Sequence, residues 1–230
     1  MNRRESQAPT SDGVYGRGDL GASLVLIFPL LLAYEIGVLF AGRVNGADVV
    51  TRLVFALVGN RGLYLLVHAV IALVFLLWIR RHDRWATLSL DIAAPVILEA
   101  AVYALTLGAV GTLVVTKLLG LGVTGSSIVS ALGAGVHEEL VFRLGLLAAM
   151  VSLLRKSALD ERVGFVLALV GSALLFALAH HIGPYGEPVT AHAVAFRTVA
   201  GCVFGLVFWY RSLAHAVYAH VMYDLIVTLG

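Results

Sequence analysis

Long apolar runs alternate with short charged segments along most of the chain. Seven runs are close to the roughly 20 helical residues that span the hydrocarbon core of a bilayer; they cover residues 20–41, 63–79, 92–119, 127–154, 163–181, 193–210 and 212–229. A shorter run, residues 49–58, is expected to lie at the membrane interface. Because lipid offers backbone groups no hydrogen-bond partner, each run is predicted to be a helix. The pattern therefore predicts an all-α integral membrane protein, a polytopic bundle of about seven transmembrane helices, with a range of about six to eight.

The composition also identifies the bilayer as the solvent of this chain. Its 230 residues are 60% hydrophobic and 13% charged, whereas soluble domains average about 25% charged residues. The net charge of +2 is too small to suggest a nucleic-acid partner, and the sequence contains no basic tract, so no nucleic acid is expected to bind. Residues 1–19 are polar and are predicted to be a flexible tail, and no linker divides residues 20–230, which are predicted to form a single transmembrane domain.

The distribution of Lys and Arg predicts the orientation of the chain in the membrane. With the amino terminus in the cytoplasm, seven spans leave ten of these residues on the cytoplasmic side and five on the other side. This excess favours a multi-pass protein of the cytoplasmic (inner) membrane with its amino terminus inside.

Several ionisable residues interrupt runs that are otherwise apolar. A charged group at mid-membrane costs about 2.5–3.5 kcal/mol on insertion scales, so these residues are expected to meet inside the bundle. The fourth run carries His137, Glu138, Glu139 and Arg143, the fifth ends in His180 and His181, and the seventh carries His215, His220 and Asp224, so these three runs are predicted to build a site. His215 is expected to be a helix-contact or interface histidine, and so is His181 unless it joins the site beside His180. Glu35 and Glu99 are isolated carboxylates in other runs and are expected to be interhelical hydrogen-bond partners.

Helical spacing separates the roles of these polar residues. Glu139 and Arg143 are four residues apart, so they share a helix face and are expected to form an ion pair. Glu138 is expected to point about 100° away from that face, outside the ion pair. His220 and Asp224 also share one face because the same spacing separates them.

Three motifs in these runs resemble those of a known family. The chain contains Glu138-Glu139-x-x-x-Arg143, then Phe176-x-x-x-His180, then His220-x-x-x-Asp224, each inside an apolar run. This order resembles the CAAX-protease and bacteriocin-processing (CPBP) family of intramembrane glutamate endopeptidases. The resemblance covers residues 127–230, the expected catalytic half, whereas the first half matches only as membrane helices.

The resemblance implies a role for each motif residue. It implies catalytic roles for Glu138, His180, His220 and Asp224 and supporting roles for Glu139 and Arg143. In this family pattern the first glutamate activates water with the first histidine as its partner, and the second histidine stabilises the oxyanion. A metal is the open alternative, since two histidines and a carboxylate, here His180, His220 and Glu138, also form a zinc-type ligand set.

Asp224 departs from the family pattern, because many members have Asn at the end of the third motif. An ionised Asp cannot donate a hydrogen bond to an oxyanion. We expect an ionised Asp224 that accepts a hydrogen bond from His220 and orients it. The alternative is a neutral Asp224 that donates directly, as an Asn amide would.

The resemblance implies hydrolysis of a peptide bond in a membrane-associated protein or peptide, through CAAX-type, sorting-tail or leader processing. The lipid bilayer is the other expected partner. A small proton-coupled transporter would use a similar set of carboxylates and histidines, and a non-catalytic membrane binding or immunity protein is a further alternative. With the amino terminus inside, His180 is expected near the outer end of its helix, with the site open to the extracytoplasmic side.

Overall fold

The computed structural model describes residues 19–41, 48–115, 126–182 and 186–229, and the regular structure within these ranges is helical. We number the helices α1 to α8; they are α1 Leu20–Ala41, α2 Val49–Val58, α3 Arg61–Arg81, α4 Leu90–Val115, α5 from Ser126 to Leu154, α6 Glu161–Ala179, α7 Ala191–Tyr210 and α8 Leu213–Leu229. A 3-10 turn, Trp85–Leu88, joins α3 to α4.

Five of these helices are long and apolar enough to cross a membrane. They are Leu20–Phe40, Arg61–Arg81, Leu90–Leu107, Glu161–Ala179 and Ala191–Tyr210, and Leu213–Val227 is a shorter apolar helix. Each of the seven predicted runs corresponds to one helix in the described residues, and the weak run corresponds to α2. The chain is therefore a polytopic helical bundle, as the apolar pattern predicted.

Polar side chains at the loop ends determine where several helices begin. The carboxylate of Asp48 accepts from the backbone N–H of Thr51 at the start of α2, and the amide oxygen of Asn60 does the same for Leu63 in α3. Such capping satisfies N–H groups that have no partner within the helix. Gly59 ends α2 with a φ of 67°, a left-handed conformation that favours glycine. These residues fix a sharp turn between α2 and α3.

Helix α5 is wider than the α-helix that the sequence predicted. Ser126–Gly133 and Ala148–Leu154 are α-helical, but Ala134–Glu138 and Leu140–Leu147 have the π pattern of hydrogen bonds between residues five apart. For example, the Ala148 N–H donates to the Arg143 carbonyl. π-Helical turns are rare and often occur at functional sites. The first motif lies entirely within or between these wide turns.

Helix α8 lies at the centre of the bundle and packs against α1, α4, α5 and α7. Gly135 allows α5 to come very close to α8, since a Cβ placed there would lie 2.3 Å from Val221 Cγ2 and 2.8 Å from its backbone nitrogen. Small residues commonly permit such close approach between membrane helices. This crossing brings the first motif of α5 beside the third motif of α8.

Small residues also allow helix α7 to approach α6 closely. Gly201 and Gly205 are four residues apart, and a Cβ at Gly201 would lie 2.9 Å from the Cβ of Ala173. A Cβ at Gly205 would lie 2.6 Å from Leu169 Cδ1. The two glycines therefore hold α7 close to α6, the helix that carries the second motif.

One sequence prediction falls largely outside the described residues, because only Asp19 of the predicted tail of residues 1–19 is described. The expectation for Glu99 is confirmed, because Arg211 donates to its carboxylate from the end of α7. Glu35 is also bonded between helices, by the hydroxyl groups of Thr51 and Tyr64.

Candidate active site

Glu138 on α5 is the point at which the three motifs meet. Its Oε2 atom lies 3.7 Å from Nε2 of His180 and 3.9 Å from Nε2 of His220. The Glu138 side chain is 11% exposed, the His220 side chain 5% and the His180 side chain 27%. The cluster is thus buried inside the bundle and more accessible on the His180 side.

His180 is held at the end of α6 by its own helix. Its Nδ1 lies 2.9 Å from the carbonyl oxygen of Phe176, one turn earlier, which is a hydrogen-bond distance. A carbonyl only accepts, so Nδ1 carries a proton. In the neutral ring, Nε2 then presents its lone pair towards Glu138. The second motif therefore supplies both the histidine and the carbonyl that fixes its tautomer.

His220 is held from a different helix. Its Nδ1 lies 2.7 Å from Oε1 of Glu139, which leaves Nε2 facing Glu138. The ring of Phe204 on α7 stacks on the imidazole, with centroids 4.6 Å apart and planes 15° apart. A carboxylate hydrogen bond and a stacked ring together fix the orientation of His220.

Arg143 forms the ion pair with Glu139 that the four-residue spacing predicted, at 3.1 Å between Nε and Oε2. Both side chains are almost fully buried. The guanidinium carbon lies 4.4 Å from the centre of the Phe176 ring, and Nη2 lies 3.4 Å from the Gly201 carbonyl oxygen. Arg143 therefore neutralises Glu139 while linking α5 to α6 and α7.

The prediction that Asp224 accepts a hydrogen bond from His220 is wrong. Oδ2 of Asp224 lies 3.7 Å from Nε2 of His220, beyond hydrogen-bond distance. The two residues do share one face of α8, but Glu139 approaches from α5 and takes Nδ1 instead. Asp224 therefore lies beside Nε2 of His220, and its side chain is 27% exposed.

The alternative metal-ligand set of Glu138, His180 and His220 is looser than a ligand sphere. Among the described residues, one group of three side chains has ligand atoms that all lie within 4.8 Å of one another. That group is Glu35, Asp48 and His137, not the three motif residues. Zinc ligands at bonds of about 2.0–2.2 Å lie closer together than that limit. Glu138, His180 and His220 would have to move closer to one another to bind one ion.

Two of the remaining polar residues lie apart from Glu138. His137 faces α1 and α2, with its ring 4.8 Å from that of Tyr34. His215 bonds Ser212 and lies 3.5 Å from Glu99. Sequence reasoning did not identify Phe204, because a phenylalanine in an apolar run carries no signal of its own.

Comparison with protein-family models matches residues 120–226 to the family described as Type II CAAX prenyl endopeptidase Rce1-like. The matched segment contains all three motifs and the helices that carry them. This match is consistent with the CPBP resemblance of the same three motifs. No curated protein and no solved structure matches the chain. At the family level, the match supports a CAAX-type intramembrane protease.

Proposed function

We propose that this protein is an intramembrane endopeptidase that hydrolyses a peptide bond in a membrane-associated substrate, with Glu138 activating the water. One observation carries the proposal: His180 and His220, from two helices, direct Nε2 at the same oxygen of Glu138, at 3.7 and 3.9 Å. These separations are too long for direct hydrogen bonds but suit a bridging molecule.

A water between Glu138 and His180 satisfies both groups. The carboxylate and the neutral Nε2 are acceptors, and a water provides one hydrogen to each. The oxygen lone pairs of that water then remain available for attack. His180 therefore positions the nucleophile, and Glu138 is the base that takes its proton.

The attack requires a donor for the charge that develops on the substrate. The water oxygen bonds to the scissile carbonyl carbon, one water proton passes to Glu138, and the carbonyl oxygen becomes an oxyanion. A protonated His220 donates through Nδ1 to Glu139 and through Nε2 to the oxyanion. The paired Glu139 and the face of Phe204 both favour a cationic ring at this position.

Collapse of the tetrahedral intermediate breaks the carbon–nitrogen bond. Glu138 returns the proton to the leaving nitrogen, so the products are a carboxylic acid and an amine and Glu138 is regenerated as a carboxylate. One water is consumed for each bond cleaved. We propose that this step proceeds without a metal, with a protonated His220 supplying the positive charge.

The family points to the substrate class. A type II CAAX prenyl endopeptidase activity would cut behind a prenylated cysteine, and a site buried among membrane helices suits a cleavage point held next to its lipid anchor. Sorting-tail or leader peptides are the other substrates of this class. We further propose an inner-membrane location with the amino terminus in the cytoplasm.

Cleavage by reconstituted protein tests the proposal. Full-length protein in lipid nanodiscs is incubated with a farnesylated CAAX peptide and with the same peptide lacking the farnesyl group, and the products are mapped by mass spectrometry. We expect one cleavage position, loss of product with His180→Ala, and faster cleavage of the farnesylated peptide. Equal cleavage by His180→Ala would contradict the proposal, as would proton-coupled solute flux without cleavage of either peptide.

A further inference from the structure

A second buried polar cluster surrounds His137, the residue that precedes Glu138 on α5. It joins Glu35 of α1, Asp48 at the start of α2 and His137 of α5, whose ligand atoms all lie within 4.8 Å of one another. His68 of α3 lies beside it, with Nε2 3.3 Å from Oε2 of Glu35. Most of this cluster comes from the half of the chain that the family match leaves uncovered.

The hydrogen bonds of His137 leave an unexplained contact. Nδ1 lies 3.0 Å from the carbonyl oxygen of Gly133, so this nitrogen carries a proton. In the neutral ring Nε2 then has a lone pair, and it lies 3.4 Å from Oδ1 of Asp48. Two acceptors facing each other repel, so this contact requires a positive charge between or on them.

Asp48 provides a second, independent sign of a missing partner. Its side chain is fully buried, and Oδ1 accepts from the Thr51 N–H at 2.8 Å. The other oxygen, Oδ2, has no hydrogen-bond partner among the described residues. A buried carboxylate oxygen without a partner is costly, and a bound cation would satisfy it.

His68 repeats the pattern of His137. Its Nδ1 lies 3.0 Å from the Tyr64 carbonyl oxygen, which leaves Nε2 directed at Glu35. The hydroxyls of Thr51 and Tyr64 fix the Glu35 carboxylate. Histidine ligands of metals usually bond a carbonyl or carboxylate through the other ring nitrogen. Two such histidines thus present Nε2 to two carboxylates.

We propose that Glu35, Asp48 and His137, with His68 as a fourth ligand, bind a divalent transition-metal ion of the zinc class. Tetrahedral zinc with bonds of about 2.0–2.1 Å separates its ligand atoms by about 3.4 Å. The two histidine–carboxylate separations, 3.3 and 3.4 Å, match that value. Two imidazoles favour zinc, iron or nickel over magnesium or calcium.

The bound ion would act as a structural link. Its ligands come from α1, α2, α3 and α5, so one ion would tie the uncovered half of the chain to the helix that carries the first motif. His137 precedes Glu138 directly, and the two side chains leave α5 in different directions. The ion would fix the backbone beside the proposed base without touching the substrate. This inference does not depend on the proposed function.

Metal content of the full-length protein tests the inference. Protein is dialysed against micromolar zinc, freed of excess metal by gel filtration and analysed by inductively coupled plasma mass spectrometry. We expect about one zinc per chain in the wild type and at least a tenfold loss in His137→Gln and in Asp48→Asn. Chelation should lower the thermal midpoint of the wild type by about 5 °C and leave His137→Gln unchanged.

Two control variants separate this site from others. His82→Gln removes an exposed histidine that makes the same bond to the carbonyl four residues earlier, and Glu138→Gln alters the proposed catalytic base. Both should keep about one zinc per chain. Zinc that is lost in Glu138→Gln but kept in His137→Gln would overturn the inference, as would zinc-free wild-type protein; the latter would assign the contact to a protonated His137 paired with Asp48.

Discussion

Asp224 shows how one residue acquires its role from a neighbour on another helix. Because Glu139 already holds His220, an ionised Asp224 has no orienting bond to make, and its carboxyl group lies beside the nitrogen that faces the proposed oxyanion. We therefore favour the neutral donor, the alternative to the orienting role. In that role the carboxyl group would donate as an Asn amide would.

Substitution of Asp224 distinguishes the two roles. We expect Asp224→Asn to keep kcat within about threefold of the wild type, since the amide donates from the same position. Asp224→Ala should lower kcat by about 100-fold, the usual effect of removing one oxyanion donor. Both are measured with the peptide assay at saturating substrate. A large loss in Asp224→Asn would instead support a role for the negative charge.

Arg143 is the residue whose removal should damage the fold most. Arg143→Ala leaves the fully buried Glu139 carboxylate without its ion-pair partner, at a cost of about 3–5 kcal/mol. We expect a lower yield of folded protein and a thermal midpoint lower by about 10 °C.

The matched control is Arg155→Ala, which breaks an exposed pair with Glu161. Surface pairs of this kind contribute about 1 kcal/mol or less, so the midpoint should change little. Equal midpoints for the two variants would show that the buried pair does not support the fold.

At the level of helices, the sequence predicted which segments are helical and in what order, but it did not predict the π turns within α5. Each apolar run became a helix because lipid leaves the backbone no other hydrogen-bonding solution. The π turns of α5 were not predictable, since apolar residues at helical spacing do not distinguish an α-helical turn from a π turn. Helical spacing also could not predict the hydrogen bond between Glu139 and His220, because it joins residues 81 positions apart on different helices.

The crossing of α5 and α8 depends on Gly135. Gly135→Ala would place a methyl group against the Val221 backbone, so the helices must separate and carry His220 away from Glu138. We expect at least a tenfold loss of kcat and a destabilisation of about 1–3 kcal/mol. Gly164→Ala is the control, because a Cβ there would lie 3.5 Å from Leu154 Cβ, an ordinary contact. Similar activity of the two variants would contradict this account of the crossing.

For the whole molecule, the sequence predicted the helical bundle and the residues that meet at Glu138. It did not predict the cluster of Glu35, Asp48 and His137. The family motifs identify residues on α5, α6 and α8, which their apolar surroundings force together. Glu35, Asp48 and His137 carry no shared spacing, because they lie on or beside three different helices, α1, α2 and α5. Only a structure could associate them.

The orientation of the whole bundle remains a prediction with a direct test. With the amino terminus inside, Val189 before α7 faces the outside and Ser157 between α5 and α6 faces the cytoplasm; both are exposed. In a Cys202→Ala background, we expect a membrane-impermeant maleimide to label Val189→Cys in intact cells and Ser157→Cys only after permeabilisation. The reverse pattern would place the site at the cytoplasmic side.

The rate of peptide cleavage by Glu138→Gln tests the central claim most directly. Glutamine preserves the shape of the side chain but cannot take a proton from water, so the single-turnover rate should fall by at least about 100-fold, with zinc content and thermal midpoint unchanged. Glu161→Gln removes an exposed carboxylate at the far end of α6 and should keep the wild-type rate. A Glu138→Gln variant that cleaves the peptide as fast as Glu161→Gln would contradict the assignment of Glu138 as the base.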